Sequence, residues 1–385
     1  MPPVETPRTK EELAQALGRA AARKQTISLA GNGTKRLMAG PVAAADLRLS
    51  TACLRRVLEY EPNDLTISVE AGLPWHELSL LLAKNRQMIP LDPPFASAAT
   101  VGGIVIANCS GPRRRLYGSA RDLVIGMTFA TLEGKLVQSG GMVVKNVAGL
   151  DMAKLMIGSF GTLAAVASVN FKLSPAPEIE RSFLLPFDSL AAAIEARNRV
   201  LSGALQPSAI DLLNPAAGAA VGRNSWLLAL RIGGNPDAVE RSEREIAALA
   251  KGVALEDPAQ ATLWTRIAEF TPQFLQTCPD GAVVRVSCTL KELGAVLDSF
   301  GGPALARAGT GVAYGYFESA ESVSEWMARA VQNRWRAVIE YAPEAAKASL
   351  ELWPAPGGDL EVMRRVKQLF DPENLLNRGR LYNRI

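Results

Sequence analysis

The chain has 385 residues, 48% of them hydrophobic and 21% charged, with a formal net charge of +4. That length allows two or three domains, and that composition buries an ordinary globular core. The small charge, with arginines not gathered into one basic block, argues against a nucleic-acid binder.

The opening run MPPVETPRTKEELAQ lacks a basic region followed by an apolar one, and no apolar run approaches the ~20 residues that span a bilayer. A cytoplasmic protein is expected. Cys53, Cys109, Cys278 and Cys288 form no C-x-x-C pair, which argues against an iron–sulfur or structural zinc site in this chain. The one histidine, His76, is the only residue on which a Ser–His–Asp triad could rest.

In chain order, Thr9–Lys24 reads as a helix with Thr9 and Glu12 as a capping box and an apolar stripe of Leu13, Ala16, Leu17 and Ala20. Thr26–Ala30 reads as a strand running into Gly31-Asn32-Gly33-Thr34, a turn able to turn several N–H groups towards a phosphate. It is neither a P-loop nor a G-x-G-x-x-G fingerprint. Leu65–Glu70 alternates and is expected as a half-buried strand. His76 follows inside a helix with Trp75, Leu78, Leu81 and Leu82 at core spacing, which makes it a surface or satisfied helix position.

The stretch Thr100–Gly126 combines glycines, an apolar run at Ile104–Ala107 and Arg113, Arg114, Arg115 and Arg121. Gly102 and Gly103 would let backbone pass close to a flat or anionic ligand. Leu123–Ala130 and Lys135–Val137 read as strands joined at Glu133-Gly134. A short helix ends at Gly158 and Gly161, and Ala165–Leu173 is a strand. Pro175 and Pro177 mark a boundary. From Arg181 to about Pro343 the pattern strand, helix, strand, strand, helix, strand occurs twice, which predicts two split β-α-β units in one antiparallel sheet. Helices over Ala261–Phe274 lie between them. Leu360–Phe370 reads as a tail helix, and the residues after it as a segment docking back on the first domain or as a frayed basic tail.

Gly31–Gly33, Thr100–Gly103, Tyr117–Asp122, Lys145–Asp151, Gly158–Leu163 and Phe370–Arg380, in this order, resemble the FAD-binding motifs of the vanillyl-alcohol oxidase and p-cresol methylhydroxylase superfamily. Ser110–Asp122 looks most like the FAD-binding E subunits of bacterial glycolate oxidases. Leu150 replaces the usual aromatic residue, Asn377-Arg378 the usual Asn-Pro, and Ala164 a common glycine. The resemblance implies an α+β chain: a two-subdomain FAD-binding domain over 1–176, a ferredoxin-like antiparallel cap over 177–358, and a terminal segment over 359–385 returning to the first domain.

It also implies the cofactor-binding residues. Ala30, Gly31, Asn32, Gly33, Thr34 and Lys35 should hold the FAD pyrophosphate, while Thr100, Gly102, Gly103 and Asn108 should line the isoalloxazine. Arg121 and Asp122 should sit beside the flavin, Gly161, Thr162 and Leu163 near the adenosine half, and Arg378 or Arg380 should close the site. With no histidine in these loops, the FAD should be non-covalent.

Relatives that oxidise 2-hydroxy acids carry H-[AG]-G-D-G-N-x-H in the cap, and here the run Arg307–Tyr314 reads R-A-G-T-G-V-A-Y. Without its histidines the chain has neither the metal ligands nor the imidazole base. The expected function is the FAD-binding subunit of a glycolate oxidase, working with a catalytic flavin subunit and an iron–sulfur subunit that leads electrons towards the membrane. The alternative is a self-sufficient FAD-dependent 2-hydroxy-acid or alcohol dehydrogenase in which Arg307, Tyr314 or Tyr316 orients the substrate. A flavin-free assembly protein is a third reading.

Overall fold

The computed structural model describes residues 2–143, 150–382 and 385. Helix Lys10–Ala22 forms as expected: Thr9 caps it by accepting from the Glu12 N–H, although the Glu12 carboxylate reaches back to the Arg8 N–H. Its face of Leu13, Ala14, Ala16, Leu17 and Ala20 is buried against strands Ile27–Ala30 and Leu47–Ser50. These two strands and the short Val4–Glu5 make a parallel sheet in the order 4–5, 47–50, 27–30. The sequence reading did not find Leu47–Ser50.

A second sheet is antiparallel, in the order Val57–Glu61, Thr66–Glu70, Ala165–Lys172, Val124–Ala130, Leu136–Gly140. Thr66–Glu70 was expected to be half-buried, yet every residue in it is buried. Its polar side chains are satisfied inside: Ser68 Oγ donates to Asn170 Oδ1 at 2.8 Å, and Glu70 accepts from the Arg56 N–H and guanidinium. The alternation recorded polarity, not exposure.

The third sheet has eight antiparallel strands. Strands Ile179–Phe187, Ala209–Leu213, Trp226–Gly234 and Val253–Leu255 form one split β-α-β unit. Ala282–Ser287, Ala304–Arg307, Val312–Phe317 and Arg336–Tyr341 form another. The units join where Ala209–Leu213 pairs with Ala304–Arg307, with Asp211 opposite Arg307. One face of this sheet packs with helices including Leu190–Ser202, Pro236–Ala247 and Ala320–Gln332. The other joins helices Ala259–Ala268 and Phe270–Thr277 in a core shared with the second sheet.

Charged groups fasten this face to the first half of the chain. Arg113 pairs with Asp92 at 2.9 Å and with Glu180 at 3.4 Å, and the Glu269 carboxylate accepts from the N–H groups of Phe95 and Ala96. After helix Asp359–Phe370 the chain returns to the first sheet, where Leu376 bridges Ile27 in parallel. Among the described residues, no helix is long and apolar enough to cross a membrane.

Candidate functional site

Strand Ile27–Ala30 aims its carboxyl end at the turn Gly31–Lys35 and is held on its open side by the returning segment. Asn377 Oδ1 accepts from the Leu29 N–H at 2.7 Å, and its Nδ2 donates to the carbonyls of Leu29 and Phe160. The Asn377 side chain thus continues the sheet where no strand exists. Among the described residues, none accepts from the N–H groups of Gly31, Asn32, Gly33, Thr34 or Lys35. Gly33 adopts φ +74°, with open space where a Cβ would stand. Successive unpaired N–H groups around a concavity form an anion cradle, and these residues line a cavity of about 280 Å3 with Thr100, Gly103, Phe160 and Arg380.

Thr100 caps helix Val101–Ile106 by accepting from the Gly103 N–H. The next N–H groups are already taken, since Val101 donates to Leu73 and Gly102 to Ala71. The helix ends in a Schellman motif: Cys109 N–H donates to the Ile104 carbonyl and Asn108 N–H to that of Val105, with Asn108 at φ +50°. Asparagine tolerates that left-handed position. It also brings a side-chain amide to a second cavity of about 460 Å3. Ala107 and Phe160 line both cavities, so the two meet across them.

The larger cavity lies between Asn108–Gly111 and Arg114 on one side and Arg285, Arg307, Tyr314, Tyr316, Glu340 and Tyr341 of the eight-stranded sheet on the other. A register shift between Val283 and Val284 leaves Glu340 without an opposing residue, and such a bulge re-aims a side chain. Arg285 Nε donates to Glu340 Oε1 at 3.1 Å, and Arg307 donates to Asp211. Burial raises the Glu340 carboxyl, with Arg285 opposing. Burial also lifts Asp211 to about 6 despite Arg307, and Tyr314 to about 12. Among the described residues, Asn108 Oδ1, Arg307 Nε and the Tyr341 hydroxyl are buried without a partner. Three such polar atoms around one cavity fit a polar ligand better than an empty core.

Of the residues the sequence nominated, Ala30–Lys35, Thr100, Gly103 and Arg380 come together in the smaller cavity, and Asn108 lies in the larger one. Lys35 turns its ammonium away from the cradle, donating to the Pro94 carbonyl at 2.9 Å over the Phe95 ring. Arg380 is buried and donates to the carbonyls of Lys35, Arg36 and Gly40. Arg307, Tyr314 and Tyr316, nominated to orient a substrate, also line the larger cavity, while the remaining cofactor nominees line neither. Gly102 is needed for helix packing, since a Cβ there would lie 2.8 Å from Ala71 Cβ. Arg121 donates to the Lys154 carbonyl, and Asp122 caps its own turn at Ser119. Gly161 packs against Asn377, Thr162 offers its carbonyl to Lys367, and Leu163 is core. Arg378 is tied to the Ala44 carbonyl at a small outer cleft. Of the Lys145–Asp151 motif, residues 145–149 lie outside the described residues. The sequence reading did not find Arg285, Glu340 and Tyr341. They belong to ordinary strand patterns, and only the bulge and the facing half of the chain make them a site.

Residues 2–140 match the FAD binding domain family, and residues 354–381 match the C-terminal domain of FAD linked oxidases. The glycolate oxidase subunit GlcE of Escherichia coli (strain K12) is 32% identical over 202 residues, which is 52% of this chain and 56% of that protein. The subunit GlcD of Bacillus subtilis (strain 168) is 27% identical over 208 residues, 54% of this chain and 44% of that one. A D-lactate dehydrogenase of Anaerostipes hadrus is 30% identical over 178 residues, 46% and 37%. The chain thus spans about half, or less, of the length of these curated relatives. In fold it is similar to p-cresol methylhydroxylase with substrate bound (TM-score 0.76, 15% identity, 99% of this chain and 89% of that one). It is also similar to the 4-ethylphenol oxidase of Gulosibacter chungangensis (TM-score 0.74, 14% identity, 99% and 88%).

Gly31→Ala tests the cradle. The added Cβ would stand 2.3 Å from Thr100 Oγ1, so either the turn or the helix cap must move. FAD affinity is expected to fall roughly 10- to 100-fold, the loss of one or two hydrogen bonds to a charged group, read by titrating apoprotein with FAD. Unchanged affinity would mean that the turn does not hold the cofactor.

Proposed function

We propose that this chain, a member of the FAD-binding oxidase superfamily with an FAD-binding domain over residues 2–140, is the FAD-binding subunit of a glycolate oxidase. Gly31–Lys35 hold the pyrophosphate, and Asn108 stands beside the ring system, where the two cavities meet. The FAD is non-covalent in this reading, and a histidyl tether is excluded because His76, the only histidine, is exposed on helix Trp75–Ala83 and lines neither cavity. Bound FAD supplies an acceptor for a pair of electrons.

One observation carries the assignment of a supporting rather than a primary role. Among the described residues lining the cavity beside the flavin site, no side chain is free to take a hydroxyl proton. Glu340 is held by Arg285, Asp211 by Arg307, and burial keeps the Tyr314 phenol protonated. A general base must be within reach and unprotonated. Primary dehydrogenation therefore occurs on a catalytic flavin subunit, and an iron–sulfur subunit receives the electrons. The chain works in the cytoplasm and meets the membrane only through these partners. A second reading, a self-sufficient 2-hydroxy-acid or alcohol dehydrogenase, draws on the unpartnered Tyr341 hydroxyl and Arg307 Nε, which could orient a small polar substrate.

Anaerobic addition of glycolate to the purified yellow protein separates the two. The flavin band is expected to persist until the partner subunits are added. Immediate bleaching of the isolated chain would establish the second reading, and a preparation that stays colourless after soaking with FAD would overturn both.

A further inference from the structure

The cofactor turn continues into 36–40, which is stitched to the edge of the eight-stranded sheet. Ala39 N–H donates to the Glu340 carbonyl at 2.9 Å, Ala342 N–H to the Leu37 carbonyl at 3.1 Å, and Met38 bridges Tyr341. Beyond that strand the chain delivers Lys347, which is 1% exposed. Its ammonium donates to the carbonyls of Arg36 and Gly40, both at 3.2 Å, and to Glu344 Oε2 at 3.3 Å. Arg380, from the far end of the chain, donates to the same two carbonyls. Glu344 in turn accepts from the Val42 N–H at 2.7 Å. Two buried cations, from two distant segments, thus grip the carbonyls of the 36–40 turn, which directly follows the anion cradle at Gly31–Lys35. One arginine already bonds both carbonyls, so a second buried cation is more than this short turn needs to stay folded. A buried charge is less screened than an exposed one, and Glu344, at 3.3 Å, offsets part of it.

We propose that Lys347 is a positioning residue for FAD: it locks the 36–40 turn to the cap and places a positive charge behind the pyrophosphate cradle. The proposal rests on the pyrophosphate lying at Gly31–Lys35. It makes cofactor affinity depend on cap docking and on pH. Burial lowers the Lys347 ammonium to about 8, with Arg380 and Arg36 lowering it and Glu344 opposing. The charge is therefore present below about pH 8 and is lost above it, and affinity for the dianionic cofactor falls over the same range. Of the other cations near the cradle, Arg36 and Arg48 line the same cavity, burial also lowers Lys35, and Arg380 is brought down to about 10. A comparison kept at or below pH 9 leaves Arg380 charged.

The test is a titration of apoprotein with FAD at pH 6.5 and pH 9 for the parent chain, Lys347→Gln, Lys347→Arg and Glu344→Gln. The parent is expected to bind about tenfold more weakly at pH 9, and Lys347→Gln about tenfold more weakly at pH 6.5, with no further decline. Lys347→Arg should bind like the parent at pH 6.5 and lose most of the decline, because its charge does not titrate in this range. Glu344→Gln should move the decline to lower pH, and it decides the matter if Lys347→Gln does not fold. Parent-like affinity and pH dependence in Lys347→Gln, or a full decline persisting in Lys347→Arg, would overturn the proposal, the latter assigning the titration to Lys35. The cradle is tested independently by Gly31→Ala. If that variant weakens binding and the Lys347 variants do not, only the positioning role fails.

Discussion

Asp371→Ala is expected to lower stability by about 3–5 kcal/mol and to release FAD. Asp371 is 1% exposed and is the buried corner at which the chain turns from helix Asp359–Phe370 back to the first sheet. Its carboxylate accepts from Lys367 Nζ at 2.6 Å and from the N–H groups of Leu375 and Leu376 at 2.8 Å each. Lys367 also donates to the carbonyls of Thr162 and Leu376. Removing the carboxylate leaves a buried ammonium without its counter-charge and two N–H groups without acceptors. Downstream of this corner lie Leu376, Asn377 and Arg380, which hold strand Ile27–Ala30 and the Gly31–Lys35 turn, so the cavity should open as the corner melts. Burial already lowers Lys367, and Asp371 opposes that shift. Without Asp371 the lysine falls further below its unfolded value, so its penalty is full at low pH and relieved as pH rises through the folded value. The deficit should therefore be larger at pH 6 than at pH 9 in urea unfolding, with flavin lost on gel filtration. A deficit below about 1 kcal/mol with flavin retained would mean that the corner is not what holds the segment.

Arg307→Met should have a comparable effect with the opposite pH sign. Arg307 and Asp211 face each other across the seam between the two split β-α-β units, and Asp211 is fully buried. Burial already lifts the Asp211 carboxyl to about 6 against the pull of Arg307. Without the guanidinium, burial acts alone and the folded value rises further above the unfolded one. A carboxyl raised on folding contributes stability below its unfolded value and loses it as pH climbs through its folded value. The variant should therefore sit close to the parent at pH 5 and fall short by up to about 2.7 kcal/mol at pH 8, two pH units above the parent's folded value at about 1.36 kcal/mol per unit. Asp211→Asn combined with Arg307→Met should recover much of the loss at pH 8, because no bare charge remains. A deficit equal at both pH values would mean that lost packing, not the unpaired carboxylate, is the cause.

Local pattern carried much of the fold. The strand–helix–strand–strand–helix–strand sequence was visible twice because each element has its own period, and Ala209–Leu213, Val253–Leu255, Val312–Phe317 and Arg336–Tyr341 form over the residues expected. The turn after Ala30 was visible because glycine and asparagine at that spacing permit few other conformations. Asn108 could be nominated by resemblance, but not the reason for it: a left-handed helix end that also presents an amide to a cavity.

What the sequence by itself determined here is which segments become strands, helices and tight turns, because those preferences act over a few residues. Tertiary structure alone decided which buried groups meet. Lys347 reaches Arg36 and Gly40 across more than three hundred residues, as do Asn377 to Leu29 and Arg380 to Lys35. A period of two or of 3.6 residues tells a side chain which face it occupies. It carries no information about what a distant segment will place opposite that face, and in this chain both cavities and the clamp behind the cradle are made of such pairs.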